Sequence, residues 1–134
     1  MDARQDFRDR ILPYRLEAVE ILSLALRYRL SWDGPVPMEV HFDGKLSIEG
    51  LSTAFTNPVI EAGIFHCRAL LEFIGLRADP KNHGKLSPRR PSRRDDLMIE
   101  HFENAYGPIP LVSPAEAVGR TRTPLLRWSG RLLG

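Results

Sequence analysis

One cysteine, four histidines and no uninterrupted apolar run long enough to cross a bilayer define what this sequence does without. A lone Cys67 excludes an intrachain disulfide framework and suits a reducing compartment, where a buried cysteine packs as a small hydrophobe. Its neighbour His66 invites a thiolate–imidazole pair, but adjacent helical residues point about 100° apart, so core packing is the expectation for Cys67. The histidines have no zinc-ligand spacing, and there is no Glu-x-x-His pair of the kind that builds di-iron bundles. Phosphate-cradling glycine loops, dinucleotide fingerprints and the G-x-S-x-G elbow are absent as well. No metal and no cofactor is therefore expected. Ile11 to Leu30 comes nearest to a membrane span, yet Arg15, Glu17, Glu20, Arg27 and Arg29 interrupt it too often. The opening MDARQDFRDRIL mixes charges and lacks the apolar core of a secretory signal. These absences lead to the expectation of a cytoplasmic protein with no membrane association.

What is present is ordinary globular composition. The 134 residues are 43% apolar and 27% charged, enough for one domain with a real core. The net charge of +2 implies no polyanionic partner by itself, but it is unevenly spread. Residues 1–74 carry 8 Lys/Arg against 11 Asp/Glu, and residues 75–134 carry 11 against 6.

The organising stretch is Asn57 to Leu76, NPVIEAGIFHCRALLEFIGL. Asn57 reads as an N-cap, Pro58 as the first helical residue, and Gly75 as the left-handed residue after the last turn, with Leu76 folding back. Between those ends Glu61, Arg68 and Glu72 share a stripe within roughly 40°, while His66 stands about 120–160° away. A helix so apolar is expected to be central to the core. Pro13 either starts a second long helix to about Leu30 or kinks one that begins near Asp6. That helix is also expected to be largely buried, with Arg15 and Arg29 snorkelling or pairing on its apolar side.

Between them, MEVHFDGKLSIEG alternates about Asp43-Gly44, the strongest hairpin signal in the chain. A two-residue turn opposes Phe42 to Lys45. A three-residue loop instead pairs Val40 with Ile48 and Phe42 with Leu46, and is preferred because it collects apolar residues on one face. After the central helix, residues 77–94 read as a mobile basic loop. Asp95 or Ser92 would cap a short helix, DDLMIEHFENAY. Ser113-Pro114-Ala115-Glu116 has the spacing of a capping box, and Thr123-Pro124 restarts a helical pattern in a loose tail over residues 120–134.

Candidates for chemistry are few. His66, Arg68 and Glu72 are the weak catalytic candidates; Arg68 and Glu72 stand one turn apart, where an ion pair is the plain structural reading. Arg89, Arg90, Arg93 and Arg94 are weak candidates for meeting nucleic-acid phosphates, although the basic segments lack interleaved aromatics apart from Trp128. The HEPN ribonucleases, which are helical bundles, carry Arg and His separated by four to six residues; Arg77…His83 and Arg94…His101 fit. With 16 arginines and four histidines, one or two such spacings arise by chance.

At His66-Cys67-Arg68-Ala69-Leu70-Leu71-Glu72-Phe73 the chain resembles a group of uncharacterised, mostly helical bacterial proteins with the motif H-x-R-x-L-[IL]-[DE]-F. The acidic segment Arg94 to Phe102 is similar to theirs, so the resemblance spans roughly residues 55–105. It implies a helical fold, couples His66, Arg68 and Glu72, and suggests Asp95 and Asp96 as partners for Arg68. It brings no established activity.

The expected architecture is a mainly α single domain over residues 1–134. It is a small helical bundle with two long antiparallel helices, 13–30 and 58–74, shorter C-terminal helices and a short β-hairpin. So much apolar surface on two helices predicts a homo-oligomer or a protein partner that completes the core. The expected function is a non-enzymatic interaction protein; a HEPN-like ribonuclease and a nucleic-acid-associated protein are the alternatives.

Overall fold

A computed structural model describes residues 2–89 and 96–121, with the side chains of Arg120 and Thr121 left out. The chain divides into two compact units, Met1–Leu70 and Leu71–Gly134. About 53% of it is helical and 21% is strand, and the strands form three separate two-stranded antiparallel sheets. The expectation of an all-α helical bundle is therefore corrected.

The first unit opens with α1 (Ala3–Asp6), a π-helical turn (Phe7–Ile11) and α2 (Leu12–Ser31), continuous with one another. Pro13 explains the wide turn. It has no N–H for the Asp9 carbonyl and its ring crowds that position, and widening the preceding turn makes room. The second long helix, α3, is Thr53–Phe73, so it starts one turn before Asn57 and holds Pro58 inside it. Ser52 sets that start: its carbonyl accepts the N–H groups of Phe55 and Thr56 at 3.1 and 2.8 Å.

The two long helices meet where Gly63 faces Leu22, so closely that a Cβ on Gly63 would lie 2.4 Å from the Leu22 Cβ. On one flank of this contact Tyr14 of α2 packs edge-on against His66 of α3, ring centroids 5.2 Å apart. Among large apolar side chains of α2 only Leu22 is buried, beside Ala25. The expected burial of both helices is thus replaced by broad exposure.

Between the helices, β1 (Pro37–Phe42) and β2 (Lys45–Leu51) form the hairpin. Asp43 and Gly44 both have positive φ, 50° and 71°, the geometry of a tight two-residue turn that suits strand twist. Phe42 therefore opposes Lys45 and His41 opposes Leu46, but a bulge then restores Val40 opposite Ile48. Each sequence-based register holds on one side of the bulge, where Ser47 is the extra residue. Ser52 anchors the hairpin's open end, donating its N–H to the Val36 carbonyl at 2.8 Å and accepting the Val36 N–H on Oγ at 3.1 Å.

In the second unit the helix stop is as the sequence implied. Gly75 has φ +94°, its N–H reaches the Glu72 carbonyl at 3.2 Å, and Leu76 is fully buried. Among its described residues Leu76 and Met98 are the buried large apolar side chains, with Phe73 edge-on to Phe102 at 5.8 Å. Residues read as a basic loop instead pair as β3 (Leu76–Ala78) and β4 (Leu86–Pro88). Asp79 ties the turn between them, accepting the N–H groups of Lys81 and Asn82 and the Asn82 side-chain amide. Those bonds, the Asn82 side chain foremost, hold the Asp79 carboxyl below its ordinary range.

The helix expected over DDLMIEHFENAY is a single 3-10 turn, Ile99–His101, followed by β5 (Glu103–Asn104) and β6 (Gly107–Pro108). His101 Nδ1 accepts the Met98 N–H at 3.0 Å, and Asn104 Oδ1 accepts the Tyr106 N–H at 2.8 Å. Local side-chain bonds of this kind compete with helix propagation. Finally α4 (Pro114–Thr121) carries the complete capping box. Ser113 Oγ accepts the Glu116 N–H at 3.3 Å, and Glu116 Oε2 accepts the Ser113 N–H at 2.9 Å. Ser113→Ala is expected to cost about 1 kcal/mol of α4 stability, read as faster amide exchange in residues 116–119. The expected helix after Thr123-Pro124 and the tail beyond residue 121 lie outside the described residues.

Candidate functional site

The most extensive functional feature is apolar surface. Fifteen large apolar side chains between Ile11 and Phe65 are more than a third exposed. On α2 they flank the buried pair on both sides. At 100° per residue Tyr14, Ile21, Leu24 and Tyr28 fall on one flank and Leu16, Leu26 and Leu30 on the other. Leu30 is 85% exposed and Phe65, on α3, 65%. The hairpin adds Phe42, Leu46, Ile48 and Leu51.

A cleft of about 410 Å³ is built where α2 ends and α3 begins. Arg29 and Leu30 come from the last turn of α2, Trp32 to Pro35 from the connector, and Ser52, Thr53 and Thr56 from the entrance to α3. Trp32 leaves the helix in extended conformation and stacks on Tyr28, with ring centroids 5.6 Å apart. The Val36–Ser52 clamp fixes the connector over the α3 start. Thr56 is 1% exposed, and its Oγ1 is buried with no hydrogen-bond partner.

His66, Arg68 and Glu72 are not among the residues lining this cleft. His66 is half-buried, packed edge-on against Tyr14 at 5.2 Å and Phe65 at 5.7 Å, with Nδ1 buried and unpartnered. Arg68 is exposed, and Glu72, one turn further along, is half-buried. Cys67 is a half-buried free thiol.

Arg89 is committed inside the second unit. Its Nη2 donates to Asp96 Oδ2 at 2.7 Å, and its backbone N–H donates to the Gly75 carbonyl. Arg90, Arg93 and Arg94 lie outside the described residues, as does Asp95. Arg77 and His83 sit on β3 and in the turn before β4, so this HEPN-type spacing lacks the helical setting that the motif presupposes. Among the described residues no three His, Cys, Asp or Glu side chains converge as metal ligands, and no helix is long and apolar enough to cross a membrane.

Sequence reasoning missed the cleft residues. Placing the α3 cap at Asn57 put Ser52, Thr53 and Thr56 in a loop, and Ser52-Thr53 before an apolar run was the signal available. Comparisons with family models, with curated proteins and with solved structures find no match to this chain.

Proposed function

We propose that the chain is a cytoplasmic, non-enzymatic assembly protein whose first unit is completed by a second copy of itself. The exposed apolar surface of α2, α3 and the hairpin carries this reading. At about half exposure, with side chains worth on the order of 150 Å² each, these fifteen residues present on the order of 1,000 Å². Each partner in a standard stable interface buries about 800 Å².

A second copy suits the charge pattern. Residues 1–74 carry 8 basic and 11 acidic groups, a near balance that offers no strong field to an oppositely charged partner and little repulsion between copies. An interface of this kind is self-complementary, and both flanks of α2 are available to build it. Leu16→Glu and Leu24→Glu, one on each flank, are already partly solvated in the single chain. Each is expected to raise the dissociation constant at least tenfold in analytical ultracentrifugation while leaving the helical circular dichroism signal intact. Unchanged self-association in both variants would remove α2 as the interface.

A further inference from the structure

The hairpin of the first unit leaves its backbone edges open. β2 is exposed along its whole length, and among the described residues no third strand joins the sheet. Two strands alone are marginal in water, and three or more with an apolar face are needed for stability. An open edge of unpaired N–H and carbonyl groups is a template for a further strand.

The two edges differ. β2 carries the bulge at Ser47, which interrupts its ladder, whereas β1 is regular. Backbone groups alternate between the two sides of a regular strand. Ser52 donates to the Val36 carbonyl across the hairpin, so Val36, Met38 and Val40 turn their backbone groups towards β2. Those of Glu39 and His41 face the open edge, and both residues are exposed. Side chains alternate between the two faces of the sheet, so Met38, Val40 and Phe42 share one face. Met38 and Val40 are half-buried there, while Phe42 is 64% exposed.

We propose that β1 pairs antiparallel with β1 of a second copy, about a two-fold axis through Val40. This rests on the assembly proposed above and adds a backbone contact to it. In this register Glu39 of each copy exchanges both backbone hydrogen bonds with His41 of the other. Phe42 is covered by Met38 of the other copy, and the two Val40 side chains meet. Charge selects the register. An axis through Glu39 would set two carboxylates directly opposite each other, which is destabilising. An axis through His41 would set Glu39 opposite Asp43. About Val40, Glu39 lies opposite His41, the ring it already contacts within the chain, Oε2 to Nε2 at 3.0 Å.

The test is disulfide trapping of single-cysteine variants of the full chain, with Cys67→Ser as the background. Only the residue on the axis meets its own copy. Facing residues of such a pair stand about 4.5 Å apart, within reach of a disulfide, whereas Glu39 and its own copy stand about 7–8 Å apart, beyond it. Val40→Cys should therefore form linked dimer at least tenfold faster than Glu39→Cys or His41→Cys alone. Mixing those two chains should restore fast linkage. On the wild-type chain, the Glu39 and His41 amides should exchange at least tenfold more slowly at tens of micromolar than on dilution. The Met38 and Val40 amides should be protected in both. A chain of dimer mass whose Val40→Cys variant links no faster than Glu39→Cys, or whose Glu39 and His41 amides exchange freely, would overturn the strand pairing and leave the assembly standing. A single-chain mass at every concentration would overturn both.

Discussion

Leu76→Ala is expected to destabilise the second unit by about 3 kcal/mol, within the range measured for truncating fully buried leucines. Leu76 is wholly inaccessible and shares the buried apolar interior of this unit with Met98 alone among its described residues. The local backbone makes the site unforgiving. Gly75 is held in a left-handed turn, a Cβ there would lie 3.0 Å from a Leu111 methyl, and Arg89 donates to its carbonyl. A cavity beside such a pinned turn collapses poorly, so the loss should approach the full transfer-plus-cavity value. Amide exchange at Ile109 and Val112, which donate to the Phe102 and Ile74 carbonyls, should accelerate roughly a hundredfold. Leu76→Met keeps the volume and should cost less than about 1.5 kcal/mol.

Gly63→Ala carries a prediction of sign. In the middle of an open helix this exchange stabilises by about 1 kcal/mol, because glycine is the poorer helix former. At Gly63 the added Cβ meets the Leu22 Cβ, an atom fixed to its backbone, so a side-chain rotation cannot relieve the clash. The helices must separate where Gly63 and Leu22 touch. The expected result is a net loss of about 2 kcal/mol in denaturant unfolding of the first unit, from overpacking of about 3 kcal/mol against that propensity gain. Gly119→Ala, where nothing lies within 4 Å of the added Cβ, is the control expected to stabilise. Stabilisation by Gly63→Ala would show that the crossing does not hold the unit together.

Signals confined to a few neighbouring residues were legible in the sequence. The Gly75–Leu76 stop, the Asp43-Gly44 turn and the Ser113–Glu116 capping box depend on backbone geometry that those residues settle among themselves. The α3 start was misplaced because Asn57-Pro58 is a stronger local signature than Ser52. The Val36 clamp that positions Ser52 comes from 16 residues away. The hairpin register could not be settled from alternation alone, since one bulge lets the turn and the apolar pairing follow different rules. Periodicity also identified α2 and α3 as apolar without saying what covers them. Periodicity places Arg29 on the apolar side of α2, to snorkel or pair, and only the fold brings it to the same cleft as Thr56.

Completion of the first unit by a second copy is the central claim, and the mass of the intact wild-type chain in solution tests it most directly. Size-exclusion chromatography with light scattering at tens of micromolar is expected to give the mass of two chains, falling towards one on dilution as the apolar faces of α2 separate. A well-folded single-chain mass at every concentration, with α2 amides protected throughout, would contradict it.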